Sequence, residues 1–130
     1  FDYIKNAALF AKHCGAKSVA LVSAIGANNK SSNIYLNVKG KIEKEIMSLG
    51  FNKVVIAQPS HLLGKRPDEQ TNYLISLFEN ITNILGNLMI GPLKKYRNIS
   101  AAQVAKSLVS KMSSDDDGVY VLDFENFKNQ

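Results

Sequence analysis

The stretch "SVALVSAIGANNKSSNIYLNVKGKIEKEIMSLGFNKVVIA", residues 18–57, decides the fold. It opens on a short run of apolar and β-branched residues, 18–23, whose unbroken hydrophobicity predicts a strand buried on both faces. A Gly/Asn/Ser loop follows. Ser31 or Ser32 is placed to cap a helix by accepting a bond from a free backbone N–H. Ile34, Val38, Ile42 and Ile46 then recur every four residues, the helix runs to about Leu49, and Gly50 ends it. "KVVIA", 53–57, predicts a second buried strand. Strand, helix and strand in this order predict parallel pairing through a helical crossover.

Outward from this unit the pattern continues. Upstream, Ile4, Ala7, Ala8 and Ala11 have helical spacing in 3–13, and Gly15 stops that helix. Downstream, the loop "QPSHLLGKRP" ends on Pro67, suited to the first turn of a helix. Leu74, Leu77, Phe78, Ile81, Leu85 and Leu88 then mark a long amphipathic helix over 68–90, read as core or lid packing. Ser100 and Gln103 form a capping box for a helix over 101–112. "SSDDDG", 113–118, is a solvated acidic turn without the ligand series of a calcium loop, so no metal is expected there. "VYVLDF", 119–124, predicts the last strand. The order α-β-α-β-α-α-β is that of an α/β fold with a parallel sheet.

Composition narrows the classes. At 130 residues with 45% hydrophobic and 21% charged residues, the chain is a single soluble-type domain. The net charge is +5, but the lysines are scattered, and no nucleic-acid module or aromatic interleaving accompanies them. No nucleic-acid partner is expected; the basic surface suits a phosphate-bearing ligand. No apolar run reaches the ~20 residues needed to span a bilayer, so no membrane is expected either. The first residues lack the features of a secretory signal, and the three N-x-[ST] matches at Asn29, Asn80 and Asn98 are read as chance. The single cysteine, Cys14, excludes an internal disulfide and is read as a buried, inert thiol in a reducing, cytoplasmic protein.

Chemistry concentrates at three positions. Open parallel sheets bind ligands at the carboxyl ends of their strands, where Ser23 stands. Tyr35 and Lys39, four apart on the next helix, share a face. An ammonium near a phenol favours the phenolate and makes tyrosine usable for proton transfer, while a serine hydroxyl can hold a carbonyl or alcohol oxygen beside it. A hydride moved to or from the neighbouring carbon needs a cofactor, because no side chain donates one. A bare Y-x-x-x-K also arises by chance; the serine at a strand end and the small-residue loop supply the context that makes it a candidate.

The motifs "VSAIGA", "YLNVKG.IE", "P..LLG.R" and "YRNISAAQVA", spread over almost the whole chain, resemble the atypical short-chain dehydrogenase/reductases, in particular the Tat-interacting-protein-type oxidoreductases. The resemblance implies that Ser23 orients a substrate oxygen, that Tyr35 is the acid/base, and that Lys39 supports Tyr35 and holds the nicotinamide ribose. It implies that the loop Pro59, Ser60, His61 and Leu62 lines the cofactor, with NADP slightly favoured over NAD. Arg66 and Arg97 match arginines of the family pattern, where each suits either a phosphate or carboxylate partner or a structural ion pair. His61 otherwise reads as an exposed loop residue and His13 as a last-turn cation.

Two departures stand out. Gln58 occupies a position where that family commonly has arginine, and the eight glycines form no dinucleotide-binding G-x-G-x-x-G or G-x-x-G-x-x-G. The expectation is therefore the C-terminal half of a Rossmann-like doubly wound parallel sheet of about three strands, residues 1–130, without its N-terminal dinucleotide-binding units. The 18–23 strand would then be an uncovered edge, met by self-association or by a missing N-terminal half. The function expected is an NAD(P)-dependent oxidoreductase acting on a small carbonyl or alcohol. The alternatives are a non-catalytic NAD(P)-sensing or protein-interaction module and a catalytically dead truncated product.

Overall fold

The computed structural model describes residues 1–60, 62–63 and 99–128. Helix α1 (Asp2–His13) precedes strand β1 (Ser18–Val22), helix α2 (Ile34–Ser48) and strand β2 (Lys53–Ala57). Two short strands, β3 (Leu62–Leu63) and β4 (Ile99–Ser100), pair parallel to one another. Helix α3 (Ala101–Met112), strand β5 (Gly118–Leu122) and the short helix α4 (Phe124–Lys128) complete the described chain. β1, β2 and β5 form a three-stranded sheet in the order β1-β2-β5, with both pairings parallel. The architecture is α/β, a parallel sheet flanked by helices in a partial Rossmann-like arrangement. The long helix expected over 68–90, together with His61, Pro67, Arg66 and Arg97, lies outside the described residues.

β2 is the hub, and alternation along it separates two cores. Val54 and Ile56 point to one face, where Ile42 and Ile46 of α2, Ala8 of α1 and Phe51 meet them. Val55 and Ala57 point to the other, against Val104 of α3, Phe124 and Phe127 of α4, Ile99 and Leu122. Each fully buried aliphatic of this kind stabilises by roughly 1.5–3 kcal/mol. The two helical layers are offset. α1 and α2 cover β1 and β2, with Val19 and Leu21 of β1 packed into that layer, while α3 and α4 cover β2 and β5.

This offset corrects the expectation of two-sided burial for 18–23. Ala20 and Val22 are exposed on the face opposite α1 and α2, as are Val119 and Val121 of β5 on the other face. A continuous apolar run satisfies one covered face as well as two, so its composition does not distinguish a hub strand from an outer strand.

The helix ends show how local chemistry fixes the elements. α1 closes with a Schellman pair, Ala16 N–H to the Ala11 carbonyl at 3.0 Å and Gly15 N–H to Lys12 at 2.9 Å, and Gly15 takes φ +90°, which a side chain would resist. The capping box of α3 forms as expected. Gln103 N–H donates to Ser100 Oγ at 3.2 Å, and Ser100 N–H donates to Gln103 Oε1 at 3.3 Å. Two buried or half-buried lysines close other helix ends: Lys12 Nζ donates to the Leu49 carbonyl, and Lys53 Nζ donates to the Ser114 carbonyl, to Lys111 at 3.3 Å and to Ser114 Oγ at 3.2 Å.

Three local expectations are corrected. The N-cap of α2 is Asn33, whose Oδ1 accepts from Leu36 N–H at 3.2 Å, while Ser31 Oγ accepts from Asn33 N–H, too early in the chain to cap the helix. Cys14 is exposed, as the C-cap residue where α1 ends. The last strand stops at Leu122, and Phe124–Lys128 folds as a helix. Phe124 and Phe127, one turn apart, both enter the core, which strand alternation would not allow.

Candidate functional site

The carboxyl ends of β1 and β2 are held together beyond the sheet itself. Ser23 N–H donates to the Ala57 carbonyl at 2.7 Å, and Ile25 N–H donates to Pro59 at 3.0 Å. Ser23 is only 5% exposed, and its Oγ has no hydrogen-bond partner among the described residues. A buried hydroxyl without a partner is uncommon, because it forfeits its bonds to water.

The loop after β1 is brought back over α2 by a set of contacts that converge on one turn. Asn28 N–H donates to the Leu36 carbonyl at 3.0 Å. Asn37 Nδ2 donates to the carbonyls of Asn29 at 2.8 Å and Ser31 at 3.1 Å. Gly40 makes room for this: a Cβ there would lie 2.3 Å from Asn29 N and 2.4 Å from Asn28 C. Gly40 and Asn37 were not singled out by the sequence reading. The legible signal was a glycine inside a helix, which costs about 1 kcal/mol against alanine and so marks a close backbone approach.

α2 then presents its first turns to the strand ends. Lys39 Nζ donates to the Val22 carbonyl at 3.3 Å, next to Ser23 in the chain. The same ammonium lies 5.7 Å from the centroid of the Tyr35 ring, within cation–π range. Tyr35 itself is 58% exposed, and among the described residues its hydroxyl bonds to neither Ser23 nor Lys39. Of the three sequence candidates, Lys39 and Ser23 are thus brought to the same strand end, while Tyr35 stands outward with its ring face on the lysine.

The other expected residues divide. Pro59 is buried, Ser60 is half-buried, and both follow the end of β2. Leu62 contributes backbone to β3, in register with Ile99, and His61 lies outside the described residues. Gln58, half-buried, donates from Nε2 to both carboxylate oxygens of Glu43, at 3.0 and 3.1 Å. This tie between α2 and the end of β2 was not read from the sequence, since neither residue breaks the helical or strand pattern. Among the described residues, no group of three His, Cys, Asp or Glu side chains is arranged to hold a metal ion.

A second polar cluster sits at the opposite, amino end of the sheet. Lys111 Nζ lies 2.5 Å from Asp116 Oδ2 and 3.6 Å from the centroid of the Tyr120 ring. The hydrogen bond from Lys111 holds the Asp116 carboxyl well below the usual carboxylate range, and the same contact raises Lys111. The neighbouring Asp116 carboxylate raises the Tyr120 phenol. Asp116 is exposed while Lys111 and Tyr120 are half-buried, and together they tie the acidic turn 113–118 to the end of α3.

Comparison with known proteins changes the functional expectation. No family model matches the chain. Protein FMP52-1, mitochondrial, of Scheffersomyces stipitis is 41% identical over 95 residues, covering 72% of this chain and 37% of that protein. Protein FMP52, mitochondrial, of Debaryomyces hansenii is 34% identical over 116 residues, covering 85% and 49%. The protein of the same name from Coccidioides immitis is 35% identical over 104 residues, covering 77% and 40%. The chain spans less than half the length of these curated relatives.

Their names overturn the resemblance to atypical short-chain dehydrogenase/reductases: the relatives are FMP52 proteins, and nothing among them shows NAD(P)-dependent dehydrogenase catalysis. The expected oxidoreductase function with Tyr35 as acid/base is withdrawn with it. A serine at a strand end and Y-x-x-x-K on the following helix are few residues on a widely shared architecture, and architecture does not fix activity. The cytoplasmic expectation is likewise overturned by the mitochondrial names. A lone thiol reports only that no internal disulfide forms; a cellular address is carried by a targeting segment, not by domain composition. Over 72 to 85% of its length, this chain is similar to the mitochondrial FMP52 proteins.

Proposed function

We propose that this is a mitochondrial α/β protein that binds a nicotinamide dinucleotide, NADP or NAD, at the carboxyl ends of β1 and β2. In this reading Ser23 is the polar anchor and meets a carbonyl or hydroxyl oxygen of the ligand. Such a ligand offers both kinds of oxygen, in its carboxamide and its ribose groups. The observation that carries the reading is the Ser23 hydroxyl, 5% exposed and without a partner at the strand end. Buried polar groups are normally hydrogen-bonded, so an orphan of this kind is the place for a ligand atom. The Lys39 ammonium, held at the adjacent Val22 carbonyl, adds positive charge for the ligand's ribose or phosphate oxygens. The parallel sheet supports the choice of end, since ligands of open α/β sheets sit outside the carboxyl ends of the strands. The mitochondrial assignment rests on the names of the relatives.

Amide chemical-shift mapping tests this reading. Addition of NADPH is expected to move the amides of 22–25 and 58–60 together, and Ser23→Ala is expected to shift the midpoint of that perturbation about 5-fold to higher NADPH. Perturbations confined to the acidic turn 113–118, or spread evenly over the basic surface, would contradict it.

A further inference from the structure

Glu43 is a buried charge whose partner is not a cation. It is 6% exposed on the third turn of α2, and among the described residues its two oxygens accept only from the neutral Gln58 amide, at 3.0 and 3.1 Å. The ion pairs among the described residues, Lys5–Glu45, Lys53–Asp116 and Lys111–Asp116, do not include it. Lys39, one turn earlier on the same helix, is instead directed to the Val22 carbonyl. A carboxylate removed from water normally acquires a positive partner or loses its charge.

A cavity of about 250 Å³ opens beside Glu43. Asn28 and Asn29 line it from the loop after β1, Gly40 from α2, and Lys44 stands exposed at its rim. Asn29 adds an amide able to accept N–H bonds, and Asn28 Oδ1, which accepts from Lys30 N–H at 2.8 Å, keeps a second lone pair. The cavity floor exists because Gly40 carries no side chain and the loop backbone rests directly on the helix. Ser23, Tyr35 and Lys39 are not among its lining residues.

We infer that this cavity is a binding site for a small organic cation, an ammonium or guanidinium compound, with Glu43 as its anionic anchor and Gln58 as the group that orients the carboxylate. A planar guanidinium suits a carboxylate with lone pairs left over, because its parallel N–H groups bond two oxygens at once. The one cationic group among the described residues lining the site, Lys44, is exposed and competes with the ligand by charge alone.

The test is a titration of the protein with methylguanidinium and, separately, methylammonium chloride, with sodium chloride at equal ionic strength as control. Melting temperature and the amide shifts of Asn28, Asn29 and Gly40 are the readouts. The expected result is saturable binding, with half-saturation on the order of 1 mM for so small a ligand, localised to those amides and absent with sodium chloride. Glu43→Gln keeps the shape and removes the charge, and is expected to abolish the response. Gln58→Arg supplies a guanidinium from within the protein, and is expected to raise the melting temperature and to abolish the response as well. Should Glu43→Gln not fold, Gln58→Arg decides alone. Lys44→Met is expected to tighten binding. No saturable response in the unmodified protein, or an undiminished response in either Glu43→Gln or Gln58→Arg, overturns the inference.

Discussion

Lys39 reaches from the second turn of α2 to the last residue of β1, placing its Nζ 3.3 Å from the Val22 carbonyl. That contact sets a positive charge at the residue before Ser23, whose buried Oγ has no partner among the described residues. The helix can approach this closely because the intervening loop is folded onto it at Asn37 and Gly40. Strand end, loop and helix start are therefore one structural unit, and its parts can be tested separately.

Ser23 is expected to contribute nothing to stability. Its hydroxyl is desolvated without compensation, and removing such a group is neutral or stabilising by up to about 1 kcal/mol. Urea denaturation of Ser23→Ala should show a midpoint equal to or above that of the parent. A loss of more than about 1 kcal/mol would mean the hydroxyl is bonded within the fold.

Gly40→Ala should be destabilising even though alanine is the better helix former. The added Cβ would meet loop backbone at 2.3 to 2.6 Å, with no flexible side-chain end to move aside. Overpacking against backbone costs typically 1–3 kcal/mol, against the roughly 1 kcal/mol that alanine returns in helix propensity. The denaturation midpoint should fall, and the amides of 28–31 should shift. An unchanged midpoint would place the loop elsewhere.

Stability should depend on pH through the Lys111–Asp116–Tyr120 cluster. Asp116 is depressed in the folded protein by the hydrogen bond from Lys111. Its contribution is complete above the ordinary carboxylate pKa of ~3.9 and is lost as pH falls below it. Lys111 and Tyr120 are raised. For both, the folded state binds the proton more tightly, so their contributions are complete below the ordinary values of ~10 and are lost as pH rises past them. A plateau between these limits is expected, with Asp116→Asn flattening both ends. Because Asp116 is exposed and Lys111 and Tyr120 are only half-buried, the change should be small and should shrink further in high salt. An unchanged acid limb in Asp116→Asn would contradict the assignment.

How much of this was legible follows from the kind of signal each feature leaves. β2, α2 and the capping box of α3 were readable because unbroken β-branched runs, four-residue repeats and Ser-x-x-Gln are local patterns with a local cause. The placement of Ser23 at a strand end followed from them. The one-sided burial of β1 was not readable, because it depends on the offset between the helical layers and not on the run itself. Asn33 was passed over as the cap because three polar residues in a row offer the same bond, and backbone geometry chooses between them. The helix 124–128 left a signal that was missed, two phenylalanines one turn apart. Glu43 and Gln58 leave none, since nothing in their spacing of fifteen residues announces a contact between a helix and the end of the next strand. The function expected from the resemblance failed for a different reason: it carried chemistry over from a likeness of short motifs, and the relatives carry other names.

The measurement that tests the central claim most directly is a calorimetric titration of the protein with NADPH, repeated with NADH, for the parent and for Ser23→Ala. The account predicts saturable binding of at least one of the two, weakened roughly 5-fold by Ser23→Ala, as the loss of one buried hydrogen bond of about 1 kcal/mol requires. No saturable heat from a folded sample, or binding that Ser23→Ala leaves unchanged, would contradict it.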